Sequence, residues 1–298
     1  MILVVGSINM DIVFQVQEIP RPGETVMSGG TRKSPGGKGA NQAVAAAKLG
    51  APVVMLGCIG KDKNGAAMRA SMESAGVDCR FLLETEADTS CAYICVSQSG
   101  ENCIVVDSTA NNMVSPLYLD SHEDLFAQAR YCILQREIPE ETIRHAMELS
   151  RKHGVQVIFN PSPMNGFRKD ALQGVAYLIP NEGEAARIMG ADTWDAVPEK
   201  DWIAFLREYG IQHMVLTVGK LGAYHYDADG SISYHPTVPQ KALDTTGAGD
   251  TFLGAFAAGL YSGMDHPEAI AFANRASGIA VTRPGAQSAM PTREELNG

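Results

Sequence analysis

Short apolar runs alternate with helical patterns along most of the chain. Ile2–Val5, Val53–Leu56, Tyr131–Leu134, Val155–Phe159, Ala176–Ile179 and His213–Thr217 are brief and mostly apolar. That is how strands buried on both faces read. Between them, apolar positions fall at helical spacing near Ala40–Leu49, Ala66–Ser74, Glu140–His153, Glu182–Met189 and Glu199–Glu208. Such alternation predicts an α/β fold with a mostly parallel sheet flanked by helices on each side. Helices over 40–49 and 269–282 are rich in Ala, so they can lie close to the sheet.

Two stretches break this rhythm. Residues 12–34 are extended and polar-patterned, with Pro20, Pro22, Gly23, Gly29 and Gly30. Residues 90–108 alternate like hairpin strands, as in Ala92-Tyr93-Ile94-Cys95-Val96 and Asn102-Cys103-Ile104-Val105-Val106, with Ser97–Glu101 as the turn. As two antiparallel β insertions they can assemble into a small separate sheet, serving as a lid over an active site, a dimer interface, or both. The expected organisation is one α/β domain over 1–298 carrying these two insertions.

Composition narrows the function classes. A net charge of −10 and a pI near 5.2 argue against nucleic acid as a partner, because that binding needs a basic face. The same charge repels polyanions, so a nucleotide site needs backbone dipoles, a Lys or Arg, or a bound cation. The six cysteines form no Cys-x-x-Cys pair and the seven histidines no His-Glu-x-x-His. Reduced, mostly buried thiols and no zinc held by the protein are therefore expected. The opening Ile2-Leu3-Val4-Val5-Gly6 reads as a strand rather than a signal peptide, and no run is as long as a membrane span. The expectation is a cytoplasmic protein without a membrane partner.

The densest chemistry lies at Asp244-Thr245-Thr246-Gly247-Ala248-Gly249-Asp250. A Gly-rich turn opening a helix, here expected over Thr251–Tyr261, binds anions: its first N–H groups lack intrahelical partners and sit at the positive dipole end. Asp250 beside such a hole suits removal of a hydroxyl proton while negative charge builds nearby, as in phosphoryl transfer. The alternative is a plain helix start with Asp250 favoured by the dipole.

Four further motifs bear on that choice. Gly36-Gly37-Lys38-Gly39-Ala40-Asn41 opens the Ala-rich helix. It is not a Walker A loop, since Gly39 follows Lys38, but it can hydrogen-bond adjacent hydroxyls of a small polar ligand. Asn9-Met10-Asp11 follows the first strand, where ligands of open α/β sheets bind. Asn181-Glu182-Gly183-Glu184 is either a helix cap or a holder of hydrated Mg²⁺. Thr217-Val218-Gly219-Lys220-Leu221-Gly222 is a glycine-bearing turn that a nucleotide can approach closely. The turn after the first strand, Gly6-Ser7-Ile8-Asn9, lacks the dinucleotide fingerprint, which disfavours a nicotinamide oxidoreductase.

Taken in order with Pro22-Gly23-Glu24-Thr25 and Gly285-Ala286-Gln287, these segments resemble the PfkB family of carbohydrate kinases from the first strand to near the end of the chain. The resemblance implies a three-layer fold with a small β-sheet lid. It also implies transfer of the γ-phosphate of ATP to a sugar hydroxyl, and Gly-Gly-Lys-Gly-Ala-Asn-Gln leans toward the branch that phosphorylates D-ribose on its 5-hydroxyl. By that resemblance Asp250 is the general base and Gly247, Ala248 and Gly249 form the anion hole. Sugar contacts fall to Asn9, Asp11, Gly37, Lys38, Gly39, Asn41 and Glu137. Nucleotide contacts fall to Asn181, Thr217, Gly219, Lys220, Gly222, Gly249 and Asn274, with Glu184 organising Mg²⁺ through water. An activating K⁺ is implied at Asp244, Thr246, Ala280, Arg283 and Gly285, mostly through carbonyls, and a homodimer through the lid.

Three positions depart from the family pattern. Arg136 precedes Glu137 where an apolar residue is usual, Ser108-Thr109-Ala110-Asn111 replaces Gly-Ala-Asn near the lid hinge, and Ala289 stands where a hydroxyl would complete the K⁺ shell. The alternatives left open are deoxyribose, another sugar or a nucleoside as acceptor, and a sugar-binding regulator without catalysis.

Overall fold

The computed structural model describes residues 1–297. Strands β1 (Ile2–Val5), β2 (Asn9–Gln15) and β3 (Gly30–Gly36) precede helix α1 (Lys38–Lys48). Then come β4 (Val53–Leu56), β5 (Cys58–Gly60), α2 (Lys63–Ser74), β6 (Val77–Asp78), β7 (Leu83–Thr85), β8 (Cys91–Val96) and β9 (Asn102–Asp107). Helices α3 (Pro116–Asp120) and α4 (Glu123–Gln128) lead to β10 (Tyr131–Leu134), α5 (Glu140–Lys152), β11 (Gln156–Phe159) and β12 (Tyr177–Leu178). The remainder is α6 (Glu182–Met189), α7 (Glu199–Tyr209), β13 (His213–Thr217), β14 (Gly222–Asp227), β15 (Ile232–Pro236), α8 (Ala248–Tyr261), α9 (His266–Ala280) and α10 (Arg293–Asn297).

A nine-stranded sheet runs β15-β14-β13-β12-β11-β10-β1-β4-β6, parallel except where β14 and β15 add an antiparallel edge. Alternation along β1 splits the core in two. Ile2 and Val4 pack with α1, α8 and α9, whereas Leu3 and Val5 face the layer containing α5, α6 and α7. Three layers follow directly from that two-sided burial. Among the described residues no helix is long and apolar enough to cross a membrane.

The two irregular stretches pair with each other. Strands β3-β2-β8-β9 form one four-stranded sheet, with β2 and β8 parallel and both outer pairs antiparallel. Its outermost strand, β9, is exposed along its whole length, including Ile104, Val105 and Val106.

Several expectations need correction. Helix α8 begins at Ala248, three residues before the expected Thr251, so the Gly-Ala-Gly-Asp run is itself the first turn. Helix α9 spans His266–Ala280 rather than 269–282, started by a reciprocal cap between Asp265 and Glu268. The β14–β15 hairpin was not expected at all. Cys58, Cys79, Cys91 and Cys132 are buried thiols, whereas Cys103 is exposed and Cys95 half-buried.

One contact matters most for the site. A Cβ at Gly254 of α8 would lie 2.6 Å from both the Gln42 carbonyl oxygen and Ala45 Cβ of α1. The absence of that atom lets the two helices approach backbone to backbone, which brings the residue one turn earlier on α8 against α1. That residue is Asp250.

Candidate active site

Asp250 is buried, and α1 holds both of its carboxylate oxygens. Asn41 Nδ2 donates to Oδ2 at 3.0 Å and Gln42 Nε2 donates to Oδ1 at 2.9 Å. Each amide is oriented in turn. Gln135 Nε2 donates to Gln42 Oε1 at 2.8 Å, Gln287 Nε2 to Asn41 Oδ1 at 3.2 Å, and Ser71 Oγ to Gln287 Oε1 at 2.8 Å. A carboxylate fixed at both oxygens before substrate arrives loses little freedom on catalysis. Asn41 was expected as a sugar contact, and here its amide engages the expected base. Gln42, Gln135 and Gln287 were not expected. Gln42 and Gln287 end two of the quoted motifs, but their contacts with the Asp250 network arise only once α1 and α8 are placed side by side.

The sugar-side residues meet at the corner between β1, β2 and α1. Gly37, the residue before α1, has φ +87, and a Cβ there would lie 2.6 Å from the Asn9 nitrogen. A Cβ at Gly39 would lie 2.6 Å from the Ser7 nitrogen, so only glycine lets this loop sit against the strand end. Glu137 stitches the corner: its Oε2 accepts from Ser7 Oγ at 2.6 Å and from the Lys38 N–H at 3.1 Å. Asn111, also unexpected, donates from Nδ2 to Asn9 Oδ1 at 2.6 Å and accepts the Ile8 N–H at 3.0 Å. Its own N–H donates to Ser90 Oγ, joining the corner to the residue before β8. The side chain of Arg136 reaches the carbonyls of Pro163 and Asn165 and lies over the Phe167 ring. That loop contact accounts for the charged residue next to Glu137.

Charge at the corner is unbalanced. Burial, with Glu137 and Asp250 nearby, pushes the Asp11 carboxyl up to about 7. Burial also opposes the Lys38 ammonium, but the carboxylates of Asp250, Glu137 and Glu184 outweigh it and hold its pKa above the ordinary value. Lys38 was expected on the sugar side. Its backbone serves Glu137, while its side chain lines a cavity of about 200 Å³ with Asn160, Asn181, Glu184, Thr217 and the Gly247–Asp250 turn.

Through Asn181, Thr217, Thr245, Ala248 and Gly249, that small cavity shares its wall with a larger one of about 470 Å³. Gly219, Lys220, Gly222 and Asn274, expected on the nucleotide, all line the larger space. Gly219 and Gly222 adopt φ +50 and +117, and a Cβ at Gly222 would lie 2.2 Å from the His235 carbonyl oxygen. Val238, Pro239 and Gln240 close one side and were not expected. Asn181 and Glu184 form a reciprocal cap on α6: Asn181 Oδ1 accepts the Glu184 N–H at 2.9 Å and Glu184 Oε2 accepts the Asn181 N–H at 3.0 Å. Both the cap and the cavity wall are therefore realised by the same two side chains.

The expected anion hole is partly engaged. Gly247 precedes α8 with φ +72, and Gly249 is a second-position residue whose N–H a helix leaves unbonded. The Ala248 N–H, in contrast, already donates to the Thr245 carbonyl at 3.2 Å. Of the expected K⁺ residues, the Asp244 carboxylate accepts the Thr246 N–H at 2.9 Å and the Gly285 N–H at 2.8 Å. Its burial is outweighed by these bonds, so its carboxyl lies below the ordinary range. The Ala280 carbonyl accepts the Arg283 N–H at 3.0 Å, and the Arg283 side chain turns to Glu295 at 2.7 Å.

Known proteins are similar to this chain over nearly its whole length. The family model described as pfkB family carbohydrate kinase matches residues 1–293. A ribokinase of Bacillus subtilis is 37% identical over 99% of this chain and 97% of its own length. Among solved structures, ribokinase of Thermotoga maritima superposes with a TM-score of 0.90 at 35% identity, covering 99% of this chain and 97% of that one. Arabidopsis thaliana ribokinase complexed with ribose and ATP gives 0.92 at 29% identity, with the same coverage. The chain belongs to the pfkB family of carbohydrate kinases, and is a phosphotransferase whose acceptor is an alcohol.

Proposed function

We propose that this enzyme transfers the γ-phosphate of ATP to the 5-hydroxyl of D-ribose, giving ribose 5-phosphate and ADP. One observation carries the assignment of roles: Asp250 is pinned by α1, whose first residues form the polar corner, and opens on the cavity that continues into the larger space. A sugar in the corner and a nucleotide in the larger cavity would thus meet at Asp250. Asp250 takes the proton of the attacking hydroxyl. Lys38 and the first-turn N–H groups of α8 offset the charge on the transferred phosphoryl group. Ribose hydroxyls bind Asn9, Asp11 and the Gly37–Asn41 loop, and Asn41 is shared between sugar and base.

Two cations fit the donor sets. Glu184, with one oxygen in the cap and its carboxylate on the cavity wall, suits a Mg²⁺ that keeps several waters. Asp244 ties the loop before α8 to the segment after α9 by accepting the Thr246 and Gly285 N–H groups, and carbonyls of Thr246, Ala280 and Gly285 would supply hard oxygens for K⁺ there. Arg283 would contribute there only through its backbone. Ala289 is buried and brings no hydroxyl. When bound, Mg²⁺ would screen the phosphates and K⁺ would order the turn before α8.

The four-stranded sheet acts as the lid, and its β9 strand, with Ile104, Val105 and Val106 exposed, pairs with a second copy. Free thiols, most of them buried, suit a reducing cytoplasm. The test is ADP release over a panel of pentoses, deoxyribose, hexoses and nucleosides, with and without K⁺. Ribose should give the highest kcat/KM. A higher value for deoxyribose or a nucleoside, or ribose turnover no faster than in Asp250→Asn, overturns the assignment.

A further inference from the structure

At the opposite end of β13 and β14 from the nucleotide cavity lies a cluster that the phosphotransfer site does not use. The antiparallel register sets His213 opposite Asp227, and His225 projects from the same face two residues before Asp227. His266, the first residue of α9, covers them. One donor atom from each of these four side chains lies within 4.8 Å of every other. His213 Nδ1 is 3.0 Å from Asp227 Oδ2 and 3.3 Å from His225 Nε2.

That convergence is awkward without a cation. Only one proton can sit on His213 Nδ1, so it cannot satisfy both the carboxylate oxygen and a second imidazole lone pair. A metal bound at 2.0–2.2 Å in a tetrahedron separates its ligands by about 3.3 Å, close to both distances. Around them, Tyr177 stacks on His213 with centroids 4.9 Å apart, and its hydroxyl lies 3.1 Å from His266 Nε2, which orients two of the rings.

We propose that His213, His225, Asp227 and His266 bind a zinc-class divalent transition metal in a structural site. Three imidazoles and one carboxylate are a ligand set for Zn²⁺ or Co²⁺ rather than for Mg²⁺ or K⁺. The site joins the far ends of three elements that reach the nucleotide cavity. Strand β13 ends at Thr217, β14 begins at Gly222, and α9 carries Asn274 and Ser277, all on the cavity wall. Metal binding here braces that wall from outside. The expectation of no zinc held by the protein rested on the lack of a local motif. These four ligands come from three separate elements, which a linear pattern does not display.

The test uses full-length, tag-free protein stripped with EDTA, dialysed, loaded with ZnCl₂ or CoCl₂ in excess Mg²⁺, and desalted. We expect about one retained Zn²⁺ per chain by mass spectrometry, and intense visible absorption of tetrahedral Co²⁺ without a thiolate charge-transfer band. Saturating Zn²⁺ should raise Tm by roughly 5 °C. His225→Ala and His266→Gln should each lose retention and the Tm rise, whereas His145→Ala, outside the cluster, keeps both. Retention below a tenth of an equivalent in the unmodified chain overturns the proposal. So does retention unchanged in His266→Gln, or a thiolate band, which would move the metal to a cysteine. Should His225→Ala fail to fold, the half-buried His266→Gln and the Co²⁺ spectrum of the unmodified chain decide alone.

Discussion

The two halves of the proposed active site are built from different materials. On the acceptor side, side chains bind side chains: Asn111 holds Asn9, Ser7 holds Glu137, and two amides of α1 hold Asp250. On the nucleotide side the wall is mostly backbone and small residues around an open cavity, with Gly219 and Gly222 at positive φ. A crowded, charged pocket discriminates among acceptors, because a mismatched hydroxyl leaves a buried polar group unpaired. A smooth, glycine-shaped wall supplies approach and little chemical selection. Substitutions on the acceptor side should therefore strike kcat or acceptor preference, and those on the nucleotide side KM for ATP.

The sharpest break is Asp250→Asn, which keeps the shape and removes the proposed proton acceptor. Its kcat should fall by about 10³-fold with both KM values within a few fold. A loss confined to KM in steady-state kinetics would deny Asp250 its role. Next is Asp11→Asn. With its carboxyl near 7 in the native state, Asp11 charges as pH rises through neutrality, and a charged acceptor binds hydroxyls more strongly. In the unmodified enzyme, kcat/KM for ribose should climb through about pH 7. In the Asp11→Asn variant it should be flat and on the order of 10²-fold lower at pH 8.

Asp11 also links folding to pH. The native carboxyl keeps its proton up to about pH 7 while the unfolded one releases it near 3.8. Between those values the native state holds the extra proton, so stability declines as pH rises across that window. Thermal melts of Asp11→Asn should lose this part of the decline, and an unchanged slope would refute it. Gln42→Leu frees one oxygen of Asp250 and should lower kcat about 10-fold, leaving KM for ATP in place. The smallest effect is expected on the other side. Gly219→Ala strains a residue at φ +50 and should raise KM for ATP roughly threefold without altering the ribose kcat/KM profile with pH.

The same contrast governs what the sequence reveals. Strands β1, β4, β10 and β13 occupy the expected residues, because a short apolar run buried on both faces has few other readings. The β14–β15 hairpin is not legible in the sequence, since Gly222-Ala-Tyr-His-Tyr-Asp227 mixes ring, charge and glycine without a clean period of two. Helix α8 starts earlier than its propensities suggest because Gly249 is a weak helix former. A Cβ at Gly249 would meet nothing within 4 Å, and this first-turn residue lies on the wall of both cavities. Gln42 ends the Gly-Gly-Lys-Gly-Ala-Asn-Gln motif, yet nothing in that string names what its amide holds. Its role depends on α8, whose partner residue lies 208 positions away. Motifs announce residues that face a ligand, whereas residues that hold other residues become visible only with packing.

The backbone contact at Gly254 has one more consequence. It packs Asp250 and the Gly37–Asn41 loop together, so in the proposed roles the proton acceptor and the sugar-binding loop are assembled before substrate arrives. A base cocked in advance is as available to water as to a sugar. With the outer four-stranded sheet as the proposed lid, restraint of wasteful ATP hydrolysis falls to it, and loosening that sheet should raise futile turnover before it harms productive turnover.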